Sequence, residues 1–260
     1  KPGYSSLMPT QPVTPYSSDA SKNHQIRDMF NRISKRYDIL NTVLSLGIHR
    51  YWRKSCIREI KLHIKPKTIL DVATGTGDFA LACLQLHPDK ITGMDISRGM
   101  LDVGINKLRQ LKIPNSKIEL IEDNAETTSM FNQHFDLIVV AFGVRNFENL
   151  NRGLANMHRM LKPNGVLCVL EFAYPQKNWL RHLYHFYFKR IVPLIGRICS
   201  ADEKAYAYLF NSVQSFPHFD AFTDHLRETG FSKTYYKALS FGISSCYIGI
   251  KKTAPEGAVI

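Results

Sequence analysis

Behind Ser21, a residue suited to cap a helix, Ile26, Met29, Phe30, Ile33 and Tyr37 recur at helical spacing and predict a helix running to about Tyr37. Asn41 to Gly47 breaks the pattern. It resumes with Trp52, Cys56, Ile57 and Ile60 until Pro66 stops it, so residues 21–65 read as a two-helix lobe. From there short apolar runs alternate with amphipathic stretches. Residues 67–72, 91–96, 117–122, 135–142 and 165–172 read as five strands, with helices over 79–86, from the Ser97 cap through Leu111, and over 149–161. Strands separated by helices of this length pair in parallel through right-handed crossovers. Residues 176–230 look helical throughout and precede residues 232–239 and 243–251, which read as an antiparallel hairpin across Phe241 and Gly242. The expected fold class is α/β: a doubly wound, mostly parallel seven-stranded sheet with a closing hairpin, N-terminal helices and a helical insertion. The expected organisation is one domain over 21–252, with a binding core at 67–172, a cap at 176–230 and a hairpin at 232–252. Residues 1–20 and 253–260 are expected to be flexible tails.

Composition supports a folded globular chain, with 44% hydrophobic and 22% charged residues. The formal net charge of +12 keeps nucleic acid, an anionic membrane surface and an acidic substrate open as partners. Five cysteines without a C-x-x-C pair argue against a disulfide framework or a zinc site, and no metal is expected. No segment reaches the ~18 uninterrupted apolar residues of a membrane span. Residues 1–20 carry neither a secretory nor a transit pattern, and a reducing cytoplasm is the expected compartment.

The run Asp71-Val72-Ala73-Thr74-Gly75-Thr76-Gly77-Asp78 lies between an expected strand and an expected helix, where a loop lets backbone approach a cofactor. Gly75, Gly77 and Ala80 satisfy G-x-G-x-x-A, with Asp95 twenty residues past Gly75, so a nicotinamide-dependent oxidoreductase is one reading. Asp71 and Asp78 beside the glycines would repel a pyrophosphate. They suit S-adenosylmethionine, which carries a sulfonium and an ammonium and no phosphate. Asp95, followed by Ile96, suits its ribose hydroxyls, and Asp123-Asn124-Ala125 suits its adenine. Thr74, Thr76 and Ala141, at neighbouring loop and strand ends, complete the expected cofactor shell. The plain alternative is that these acids only cap a helix and the glycines only turn.

Tyr37-Asp38-Ile39-Leu40-Asn41, Leu44 to His49 with Trp52, and Arg159-Met160-Leu161-Lys162-Pro163-Asn164-Gly165 continuing to Phe172 resemble the signatures of the ubiquinone/menaquinone biosynthesis C-methyltransferase family. Met160, Asn164 and Ala173 stand where that family more often has Val, Gly and Ser. Phe142 to Asn146, Tyr208 with Ser212, and Leu239 to Gly242 extend the resemblance over about residues 16–251. It implies a Rossmann-like class I methyltransferase that moves a methyl group from S-adenosylmethionine to a ring carbon of a prenylated quinol. Within the family the chain is more similar to bacterial menaquinone-making members. The implied substrate is therefore 2-demethylmenaquinol, with a benzoquinol of ubiquinone biosynthesis as the alternative.

An aromatic carbon becomes a good nucleophile when the neighbouring phenol ionises, and the rest of the task is positioning. Arg145 and Asn146, after the fourth strand, are assigned to the reacting ring, with Arg145 steadying the phenolate. Tyr37 and His49 are candidates for proton relay, each also readable as packing, as is Trp52. Glu171 reads equally as pocket lining or strand cap. The aromatic and basic stretch Trp179 to Cys199 suits either a core-facing lid or the headgroup zone of an anionic membrane. The expected partners are the quinol lipid, the inner face of the cytoplasmic membrane and a second copy of the chain. Nucleic acid is not expected, because no recognition-helix motif or Arg-rich run is present.

Overall fold

The structure, a computed structural model, describes residues 13–16, 19–187, 190 and 203–252. Its centre is a seven-stranded sheet in the order β3-β2-β1-β4-β5-β7-β6. The strands are β1 Thr68–Val72, β2 Lys90–Asp95, β3 Ile118–Glu122, β4 Phe135–Ala141, β5 Leu161–Phe172, β6 Phe231–Leu239 and β7 Ser244–Lys251. The first five are parallel, while β7 runs antiparallel to both β5 and β6, as the alternation of periods implies. Apolar runs such as Leu137–Val140 and Val166–Leu170 are buried because helices cover both faces.

The N-terminal lobe differs from expectation. It holds three helices, α1 Lys22–Ile33, α2 Tyr37–Leu44 and α3 Ile48–Ile60. The first break falls at a tight turn over Ser34–Arg36, and Asn41 stays helical, because Ser45 N and Oγ both bond its carbonyl and extend the turn. The second break is Gly47, whose φ of 75° no ordinary residue adopts cheaply. Nor do residues 13–16 behave as a loose tail. Val13 and Tyr16 pack beside Ile26 and Met29, and Tyr16 N donates to Gln25 Oε1 at 2.9 Å.

After β1 comes α4 Asp78–Cys83, after β2 comes α5 Arg98–Gln110, and before β5 comes α6 Leu150–Met160. Ser97 and Asn149 cap α5 and α6 by accepting from Met100 N and Arg152 N. The insertion contributes α7 Asn178–Phe186, α8 Glu203–Ser215 and α9 Asp220–Glu228. Most of the aromatic and basic stretch from Phe188 to Cys199 lies outside the described residues, as do 1–12 and 253–260. Among the described residues no helix is long and apolar enough to cross a membrane.

Candidate functional site

Strand order reverses beside β1, and the crevice outside the carboxyl ends of β1 and β4 is where an open α/β sheet binds ligands. A cleft lies there. Gly75 follows β1, Asp95 and Ile96 end β2, and Asp123, Asn124 and Ala125 follow β3; all six line the cleft. Ala141 and Asn146 line it from the β4 side and Tyr37 from the start of α2. The structure therefore brings nine of the expected site residues together.

The other expected residues do not line the cleft. Asp71 is buried, and its Oδ2 accepts from Thr74 Oγ1 at 2.6 Å and Ala80 N at 2.9 Å, so it braces the glycine loop from within. Burial pushes its carboxyl up to about 7. Thr76 donates to Asp38 Oδ1 at 2.6 Å and accepts from Lys107, while Gly77 makes the left-handed turn into α4. Asp78 turns to Arg53 and Lys107, at 2.8 and 2.9 Å. Burial alone would raise its carboxyl, but those two cations hold it below the usual range.

The charge argument made on Asp71 and Asp78 thus passes to other acids. Asp95, Asp123 and Glu126 line the cleft, and among the described residues no lysine or arginine does. Such a lining suits a cationic ligand and opposes a pyrophosphate. Asp95 receives Gly75 N on Oδ2 and Ser97 N on Oδ1, each at 2.8 Å. Burial raises it to about 6 against these hydrogen bonds. Gly75 has φ +57°, and a Cβ there would lie 3.1 Å from Met100 Cε, so the loop comes as close to the cleft as a bare backbone allows. Ala73, after β1, and Phe142, after β4, also line the cleft and have positive φ, 52° and 58°. Strain of this kind persists where surrounding structure enforces it, often at binding sites.

Arg145 does not line the cleft. Its Nη1 donates to Glu171 Oε1 at 2.7 Å and to Phe142 O, and both side chains are buried. Its guanidinium lies 5.5 Å from the centre of the Phe172 ring, and Nε has no partner. Asn146, the next residue, does reach the cleft and accepts from Tyr208 OH at 3.1 Å. Glu171 is thus neither a cleft wall nor only a strand cap. Burial raises its carboxyl, with Arg145 opposing.

His49 lies elsewhere, in a polar pocket with Asp38, Arg53, Asp78 and Lys107. Ser45 Oγ is 2.5 Å from its Nδ1, and burial pushes it down to about 4. Tyr37 is at the cleft, edge-on to Phe30 at 5.9 Å, and burial raises its phenol. Trp52 is a core residue whose Nε1 donates to Ser240 Oγ at 2.8 Å.

Sequence reasoning missed the part played by α1. Asn23, Ile26 and Phe30 close the cleft from above, and Asn31 Oδ1 pins the helix by accepting from Ser97 Oγ and Gly99 N. Lys22 Nζ donates to Phe147 O at 2.8 Å and Arg145 O at 3.2 Å, and burial lowers it to about 8. Periodicity marked α1 as amphipathic but carried no signal that its apolar face covers a ligand site. Glu126 was missed too; it accepts from Glu148 N and Asn149 N ahead of α6.

Residues 18–251 match the model of the ubiE/COQ5 methyltransferase family. The chain is 40% identical to a demethylmenaquinone methyltransferase of Bacteroides fragilis, over 94% of this chain and 99% of that one. It is also 40% identical to the ubiquinone/menaquinone biosynthesis C-methyltransferase UbiE of Geotalea daltonii, over 88% of this chain and 97% of that one. A crystal structure from Thermotoga maritima, described as an SAM-dependent methyltransferase and possible histamine N-methyltransferase, superposes with a TM-score of 0.58. That match has 16% identity and covers 86% of this chain and 99% of the other, which establishes a shared fold.

Proposed function

Because the chain belongs to the ubiE/COQ5 methyltransferase family and is an S-adenosylmethionine-dependent methyltransferase of quinone biosynthesis, we propose that it converts 2-demethylmenaquinol to menaquinol. The observation that carries this reading is a cleft lined by Asp95, Asp123 and Glu126 and, among the described residues, by no lysine or arginine, with Asn146 in its lining and Arg145 next to it in the chain.

In this reading Asp95 accepts the ribose hydroxyls of the cofactor, and Asp123, Asn124 and Ala125 take the adenine. Gly75 lets the loop approach, while Asp71, Thr74, Thr76 and Gly77 hold the loop's shape. S-adenosylmethionine supplies an electrophilic methyl group on its sulfonium. The protein must set an aromatic carbon in line with that methyl, at the ~3–3.5 Å of a near-attack geometry, and favour ionisation of the adjacent phenol, whose proton passes to water; the ring proton lost as the methylated ring regains aromaticity restores the phenol. Asn146, held by Tyr208, orients the ring hydroxyl. Arg145 steadies the phenolate from behind the cleft wall and, having no acceptor atom and being paired with Glu171, takes no proton. Tyr37 stays protonated at neutral pH, since burial raises its phenol, so it donates a hydrogen bond and takes no proton.

A polyprenyl tail keeps the substrate in a bilayer, and the net charge of +12 favours an anionic surface such as the inner face of the cytoplasmic membrane. The test is expression in a bacterial host lacking its own quinone C-methyltransferase, followed by mass spectrometry of extracted quinones. Appearance of menaquinone is expected. Persistence of demethylmenaquinone alone would refute the reading, and methylation confined to a benzoquinol would refute the substrate.

A further inference from the structure

Helix α3 has two faces. Inward, Trp52, Cys56, Ile57 and Ile60 are buried in the core, and Trp52 packs edge-on against Phe142, a cleft residue, at 6.1 Å. Outward, Arg50, Lys54, Arg58 and Lys61 are exposed. At about 100° per residue they fall within roughly 80° of one another. Ile48, Tyr51 and Leu62, 41%, 52% and 74% exposed, occupy the adjoining sector of the same outward arc. Among the described residues none of the four cations has an ion-pair or side-chain hydrogen-bond partner. The acids nearby are all engaged: Glu59 with Lys237 at 3.0 Å, Asp38 with Lys107 at 2.6 Å and Asp78 with Arg53 at 2.8 Å.

Two turns, one entering α3 and one between β6 and β7, each present a large apolar side chain on strained backbone. Leu46 (φ 49°) and Phe241 (φ 58°) are both 80% exposed. A left-handed conformation costs a bulky residue roughly 1–2 kcal/mol, and neither side chain recovers that by burial. The bond from Trp52 to Ser240 holds the Phe241 turn against α3.

We propose that the outward face of α3, with Leu46 and the Phe241 turn, is the surface by which the protein sits on an anionic lipid bilayer. This rests on the quinol reading above and locates the membrane contact on a segment other than 179–199. Unpaired cations meet lipid phosphates while Leu46, Ile48, Tyr51 and Phe241 enter the headgroup and upper acyl zone. A nucleic acid would engage the cations but leave the apolar tips unused, and a second copy docking on the same face would set cations against cations. The function follows from thickness. One helix diameter, about 10–12 Å, separates this face from Phe142 at the cleft wall, so the proposed surface would hold the cleft close to the bilayer.

The test uses the full chain with vesicles of phosphatidylcholine alone or mixed with phosphatidylglycerol, read by co-sedimentation. Wild type is expected to partition onto the mixed vesicles and little onto the neutral ones. Arg50→Gln/Lys54→Gln/Arg58→Gln is expected to weaken partitioning roughly a hundredfold, each basic residue at an anionic surface contributing about 1 kcal/mol. Leu46→Asn/Phe241→Asn keeps a side chain tolerant of positive φ and is expected to remove the binding that survives high salt. Both variants should melt as wild type does and turn over a detergent-dispersed, short-tailed demethylmenaquinol normally. Equal binding by the triple variant and wild type would overturn the surface, as would wild type that binds no vesicle, ignores lipid charge or leaves vesicles for duplex DNA or RNA. Turnover is read separately, so an inert wild type that still binds through this face refutes the substrate and supports the surface.

Discussion

The Arg145 guanidinium and the Glu171 carboxylate meet beneath the cleft, Nη1 to Oε1 at 2.7 Å, with both side chains out of solvent. Removing one member of a buried pair strands the other, at about 3–5 kcal/mol. Arg145→Ala is therefore expected to lower the melting temperature strongly as well as slow turnover. Glu171→Gln keeps a hydrogen-bond acceptor and removes the charge, so it is expected to cost less stability and to act mainly on kcat. Thermal unfolding beside steady-state kinetics separates the two; an Arg145→Ala protein as stable as wild type would show that the pair carries little.

Asp95 gives the pH dependence. Its carboxyl is raised to about 6 in the folded protein from an ordinary 3.8, chiefly by burial. A carboxylate that accepts ribose hydroxyls must be ionised, so affinity for S-adenosylmethionine is expected to fall as pH drops through about 6. Asp95→Asn should flatten that profile and cost roughly 1–3 kcal/mol of binding at neutral pH. The linkage to stability has the opposite sign: because the folded pKa is raised, this group makes the free protein more stable as pH falls from about 6 towards 3.8. Calorimetric titration across pH 5 to 8 checks the first effect, and an unchanged affinity would remove Asp95 from the cofactor site.

The sheet was legible because its buried strands are short apolar runs between helices, and the ends of β1, β2 and β3 carried the acids and glycines that mark a switch-point cleft. What stayed hidden depends on which partners the side chains take in three dimensions. Asp71 and Asp78 stand beside the glycines in sequence, but Thr74 and Ala80 claim the first, and Arg53 and Lys107 the second. The Arg145 to Glu171 pair joins the turn after β4 to the end of β5, and Lys22 reaches across to the loop after β4. His49 follows Gly47 in a conspicuous motif, yet helical periodicity turns it away from the cleft.

Gly75→Ala tests the loop. The new methyl would meet Met100 Cε at 3.1 Å on a backbone with φ +57°. A stability loss of roughly 1–2 kcal/mol is expected, together with weaker cofactor binding. Differential scanning calorimetry with and without S-adenosylmethionine measures both, and an unaltered ligand-induced shift would place the cofactor away from Gly75.

Tyr208→Phe removes the hydroxyl that donates to Asn146 Oδ1 at 3.1 Å. Losing a buried partner costs about 1–3 kcal/mol. If Asn146 orients the quinol, the cost appears in kcat with cofactor affinity nearly unchanged. A variant with normal kcat would make the pair a packing feature.

The central claim, ring methylation through a phenolate, is tested most directly by supplying 2-demethylmenaquinone and S-adenosylmethionine with and without a chemical reductant and following the methylated product by mass. The oxidised ring has no phenol to ionise and its carbon is electrophilic. Product is expected only under reducing conditions, and equal turnover of the oxidised quinone would contradict the account.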